Sequence, residues 1–225
     1  MANFKLGEGK YTVRSIAVRV VVIMVGVFIT AYGAAAFITA VLGSDPVTAF
    51  VQGLGKVTGL SFGNAMNVFN AAFFVVVLIL NWRTIGIGTV LYTFTLGTFA
   101  DIFIRWINAA IGLEPSMGFR IGLIVTGTIA LGIGLGLYQA AGLGAGPSDA
   151  FNQIMARKLK LQLRWWRIIF DVIMVVGALI MGGIVHAGTL VGMFLVGPVL
   201  GPVFNKMSPV VNKWAGNEDL VHEEL

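Results

Sequence analysis

Long apolar runs separated by short polar stretches dominate this chain. A helix needs about 20 predominantly apolar residues to cross a bilayer. Six runs meet that need: 19–40, 62–80, 85–104, 121–141, 166–184 and 187–204. Trp82, Trp106, Trp165 and Trp166 fall at predicted span ends, where an amphipathic ring prefers the headgroup zone. Two further stretches, Pro46 to Thr58 and Pro147 to Lys160, are too short to cross. Each opens with a proline after a Gly-rich turn, and proline suits the first helical position because its missing N–H would be unpaired there anyway. These two are expected to be interfacial or re-entrant helices.

The pattern repeats itself. A shift of 101 residues lays Arg19 on Arg120, Gly26 on Gly127 and Gly33 on Gly134. It also lays GSDPVTAFVQ (Gly43 to Gln52) on GAGPSDAFNQ (Gly144 to Gln153), and Phe69-Asn70 on Phe170-Asp171. At a shift of 100, Gly88-Thr89 meets Gly188-Thr189, Phe94 meets Phe194 and Gly97 meets Gly197. Each copy holds three spans, an odd number, so the second must start from the opposite side of the membrane. The basic residues agree with that. Lys5, Lys10, Arg14 and Arg19 precede the first span, Arg83 follows the second, and Arg157, Lys158, Lys160 and Arg164 precede the fifth. The stretch from Gly43 to Ser61 has only Lys56, and the turn after the fifth span has no basic residue. Basic loops stay on the cytoplasmic side, so both termini are expected there.

The expected fold is therefore all-α and integral to the membrane. Six transmembrane helices form two inverted three-helix repeats, each with a short helix after a GxxPxxAF turn. The expected divisions are a cytoplasmic segment 1–18, a first repeat 19–110, a linker 111–119, a second repeat 120–209 and a polar tail 210–225, acidic and frayed beyond Gly216.

Composition fits this reading. Of 225 residues, 57% are hydrophobic and 11% charged, against about 25% charged in soluble domains. The mean hydropathy is +0.91. The net charge of +5 belongs to membrane orientation rather than nucleic acid. The first apolar run is longer than a signal-peptide core and has a twin later in the chain, so cleavage is not expected. There are no cysteines and only two histidines, His186 and His222, so neither a disulfide nor a zinc site is expected.

Inverted repeats with broken helices at matching positions are the sequence mark of alternating-access transporters, whose substrate site lies between the breaks. The candidate binding residues are accordingly Asp45, Pro46, Thr48, Phe50 and Gln52 in the first turn, and Pro147, Asp149, Phe151 and Gln153 in the second. Gln52 and Gln153 stand out because both copies keep them. The alternative is that each turn only folds a short helix against the bundle. Asn64, Asn67 and Asn70 form one stripe, so Asn67 and Asn70 are candidates too, with interhelical hydrogen bonding as the plainer reading. Asp171 is a candidate because an ionisable group within a span is costly. Its plainer reading is an ion pair with Arg167 four residues earlier, a spacing that Asp101 and Arg105 repeat. Gly26, Gly33, Gly132, Gly134 and Gly136 read as close-packing positions. No enzyme signature is present, and neither cofactor nor metal is expected.

GLGAGPSDAF (Gly142 to Phe151), VTGLSFGNAMNVFNAAFFVVVLIL (Val57 to Leu80) and GIGTVLYTFTLGTFADIF (Gly86 to Phe103) resemble the YczE/YyaS/YitT family of bacterial integral membrane proteins. The resemblance covers 15–209. Its Pro-x-Asp element maps onto Pro147 and Asp149, while Thr48 takes the aspartate's place in the first copy. The resemblance implies a bacterial cytoplasmic-membrane protein and, for some members, transport or export. The expected function is a small secondary transporter or exporter of an unidentified small molecule, working in the lipid bilayer, with a homodimer as the candidate assembly. The alternative is a non-transporting membrane subunit, scaffold or lipid-binding assembly factor.

Overall fold

The computed structural model describes residues 12–111 and 116–216. The polar tail beyond Gly216, with His222, lies outside them, as do Lys5 and Lys10 and part of the linker. The described residues form eight α-helices: α1 Val13–Ala40, α2 Pro46–Thr58, α3 Phe62–Asn81, α4 Ile87–Ile111, α5 Met117–Ala140, α6 Pro147–Lys158, α7 Leu163–Ile180 and α8 Ala187–Trp214. One 3-10 turn, Trp82–Thr84, links α3 to α4. Side-chain oxygens of Thr12, Asp45, Ser61 and Ser116 cap the starts of α1, α2, α3 and α5.

Five helices are long and apolar enough to cross a membrane: α1, α3 (counted with the 3-10 turn), α4, α5 and α8. α7 is not among them. It has 18 residues, and three of these, Arg164, Arg167 and Asp171, are ionisable. α8 extends ten residues past its expected end at Phe204, through Pro198, Pro202 and Pro209. Lipid-matching hydrophobicity stops near Phe204, but helical hydrogen bonding continues into the polar zone.

α1 and α5 form the central pair, crossing antiparallel through glycines. A methyl group on Gly26 would meet the backbone of Gly134 and Tyr138, and one on Gly33 would meet Gly127 and Leu131. Small residues let the backbones approach this closely. α4 packs on α1, and α8 packs on α5. Val199 and Val203 of α8 sit against Gly132 and Gly136. The short helices cross over: α2 lies against α7, and α6 against α3.

The two Gly-rich turns dock in the same way. Gly188 N–H donates to the Leu42 carbonyl at 2.9 Å, and Gly88 N–H donates to the Leu143 carbonyl at 2.9 Å. Gly43 (φ +94°) and Gly144 (φ +117°) hold left-handed backbone beside Thr189 and Thr89 respectively, a conformation that favours glycine. Arg19 is not a surface charge, as its place ahead of the first span suggested. It is buried, donating to the Ala141 carbonyl at 2.8 Å and to Asn212 Oδ1 at 2.7 Å. It thereby ties the start of α1 to the ends of α5 and α8.

Candidate functional site

Both short helices point their first residues into one cavity of about 290 Å³. Asp45, Pro46 and Thr48 come from the start of α2, and Ser148 and Asp149 from the start of α6. Arg167 and Asp171 of α7 complete a polar wall with Tyr92 of α4. The opposite wall is apolar, with Leu131 and Leu135 from α5 and Val196 and Leu200 from α8. The first-turn N–H groups of a helix have no intrahelical partner, so two helix starts give this wall a positive partial charge.

Arg167 holds the polar wall together. Its Nη1 donates to Asp149 Oδ1 at 2.9 Å, and its Nε lies 3.7 Å from Asp171 Oδ1. The two carboxylates keep 17% and 16% of their side-chain surface open, whereas Arg167 keeps 49%. Its Nη2 makes no hydrogen bond among the described residues, which leaves that nitrogen to meet a ligand. Asp45 is half-committed. Its Oδ2 accepts from Thr48 N–H at 3.2 Å, while its buried Oδ1 has no hydrogen-bond partner among the described residues. A buried carboxylate oxygen without a donor is costly, and a ligand donor would relieve it. Three carboxylates face one guanidinium here.

The structure brings together Asp45, Pro46, Thr48, Asp149 and Asp171 from the expected set. The others lie elsewhere. Phe50 packs on Phe69, and Phe151 on Phe73 and Phe170, inside an aromatic cluster. Pro147 is buried as the first residue of α6. Gln52, a leading candidate, accepts from Ile184 N–H at 2.9 Å and pins α2 to the α7–α8 turn. Gln153 lines a separate cleft. Asn67 accepts from Gly97 N–H at 3.1 Å, joining α3 to α4, and Asn70 is buried outside the cavity lining. The expected pairing of Asp101 with Arg105 is corrected. Asp101 accepts from Ser61 Oγ at 2.6 Å and from Gly63 N–H at 2.7 Å, and forms no ion pair with Arg105 among the described residues. An orphan donor at the start of α3 is a better-placed partner than a long side chain one turn away. The pairing of Arg167 with Asp171 is present, but Asp149 is the closer partner.

Arg167, Tyr92, Ser148 and the apolar walls from α5 and α8 were missed. Arg167 looked like a structural counter-ion, although a cation inside an apolar run, matched to two aspartates, is itself a signal. Tyr92 and the α8 wall gave no signal, because only packing turns them inward.

Residues 17–206 match a family described as a family of unknown function, DUF6198. The chain belongs to this family. It is 28% identical to "Uncharacterized membrane protein YczE" of Bacillus subtilis over 179 residues, which span 78% of this chain and 80% of that protein. It is 26% identical to an "Uncharacterized protein" of Haemophilus influenzae over 159 residues, 71% of each. No solved structure matches. The resemblance seen at the proline turns thus holds. With five helices able to cross a bilayer, the family member is a membrane protein.

Proposed function

We propose that the protein is a small secondary transporter or exporter working by alternating access in the bacterial cytoplasmic membrane. The observation that carries this is the meeting of two half-helix starts, one from each half of the chain, at a cavity that also holds Arg167. Paired broken helices are how many transporters build a midplane site. In this reading α7 is the sixth crossing helix, with Arg167 and Asp171 turned to the cavity instead of lipid.

Reciprocity supports two inverted copies. Leu42 with Gly188 mirrors Leu143 with Gly88, α2 on α7 mirrors α6 on α3, and α4 on α1 mirrors α8 on α5. The distribution of basic residues supports a cytoplasmic position for both termini. The cargo is a small amphipathic solute with a basic or hydrogen-bond-donating group for Asp45. Its apolar part lies against Leu131, Leu135 and Val196. No cofactor or enzymatic step enters this reading.

The test uses the absence of native cysteine. Single variants Val196→Cys and Leu131→Cys in proteoliposomes should react with membrane-impermeant thiol reagents from one side, and from the other after cargo addition. Arg167→Gln should abolish flux or binding for any solute found in a metabolite panel. Labelling from one side only, together with no binding or flux across the panel, would overturn transport and favour a structural subunit.

A further inference from the structure

A second cleft, of about 180 Å³, lies between the 3-10 turn after α3 and the C-terminal part of α6. Its lining includes Arg83, Arg157, Asn81, Gln153 and Thr84, and no carboxylate. Neither guanidinium has a hydrogen-bond or ion-pair partner among the described residues, though Arg83 lies 5.9 Å from the Trp82 ring. Two cations sharing one polar cleft repel each other, and an anion between them removes that repulsion.

The matching place in the other half shows what a filled version looks like. At the shift of 101, Gln153 corresponds to Gln52 and Arg157 to Lys56. Gln52 accepts from Ile184 N–H, and Lys56 Nζ donates to the Gly182 carbonyl at 2.7 Å. That cleft is closed by its own residues. Here the same positions are left unsatisfied, and at the shift of 100 Arg83 stands where the other turn has Gly183. Trp82 is 66% exposed beside the cleft, and an exposed Trp at a span end sits at headgroup depth.

We propose that this cleft binds the phosphate of an anionic phospholipid headgroup, held by Arg83 and Arg157 with Asn81 and Gln153 as hydrogen-bonding side chains. Arginine is suited to this because its planar fork matches phosphate oxygens. The comparison of halves rests on the two-copy reading above, but the binding does not need transport, so its test is separate from any flux measurement.

The full chain in a neutral detergent is titrated with phosphatidylglycerol, phosphatidylcholine or glycerol 3-phosphate while thermal unfolding is followed. Phosphatidylglycerol should raise the melting temperature saturably, and phosphatidylcholine should not. The double variant Arg83→Gln/Arg157→Gln should weaken the apparent affinity roughly tenfold or more. Lys158→Gln/Lys160→Gln removes as much nearby charge outside the cleft and should change it only about twofold. Equal loss in both double variants would overturn the proposal in favour of general surface attraction. A rise given equally by glycerol 3-phosphate would overturn the lipid as source. Because each double variant is titrated against its own lipid-free melting point, a change in basal stability does not imitate lost binding.

Discussion

α3 and α4 are sealed together, whereas α7 and α8, their counterparts by sequence register, enclose the cavity and make almost no direct contact among the described residues. The seal has identifiable parts. A methyl group on Gly63 would overlap the Gly97 carbonyl, and one on Gly97 would overlap that of Gly63. Asp101 caps the start of α3, and Asn67 reaches across to Gly97. In the other half Arg164 replaces Gly63, Ile168 replaces Asn67 and Gly201 replaces Asp101. Only Gly97 keeps its twin, Gly197, which has open space where a side chain would be. One helix pair can thus be closed or parted according to a few side chains.

This contrast can be broken most severely at the paired glycines. Gly97→Leu should destabilise by about 3 kcal/mol through overpacking, seen as a large fall in melting temperature. Gly197→Leu should stay within about 0.5 kcal/mol of the parent, while its side chain enters the cavity and weakens solute binding. If both variants lost the same stability, the parted seam would not describe the protein in solution. Next comes the cap. Asp101→Ala should cost about 1–2 kcal/mol, since it removes two hydrogen bonds to a charged acceptor, one of them at an exposed site. Gly201→Asp, which supplies the missing carboxylate to the other half, should not restore a seal unless Arg164→Gly accompanies it. Cross-linking yield between cysteines on α7 and α8 would report this. The smallest effect concerns the glutamines. Gln52→Ala should cost about 1 kcal/mol by orphaning the Ile184 N–H. Gln153→Ala should leave stability within about 0.5 kcal/mol, measured without added lipid.

Most of the fold was legible because the lipid solvent writes it plainly. Apolar runs placed α1, α3, α4 and α5 to within a few residues, except where α1 starts earlier and α4 ends later in polar sequence. The proline after each Gly-rich turn located the starts of α2 and α6. Side-chain partners were harder to read. Sequence spacing offers Arg105 to Asp101, but it cannot weigh that against the free N–H groups that α3 brings alongside. Arg19 reads as an orientation signal and is in fact buried under the ends of two distant helices. Gln52 and Gln153 carried a repeated pattern whose meaning proved to be clasping a turn in one half and lining a cleft in the other. The cavity itself depends on where α8 stands relative to α7, a distance that no local run of residues encodes.

That position of α8 has a mechanical consequence. The helix is fastened at both ends, by Gly188 to Leu42 at one and by Asn212 to Arg19 at the other. A strut pinned at two points does not swing like a gate. It bows, and α8 is softest between its pins, where Pro198 and Pro202 each leave a carbonyl without its helical N–H. The cavity can then widen or narrow at its α8 wall by flexing this stretch while both anchors hold, with any larger displacement falling to α7.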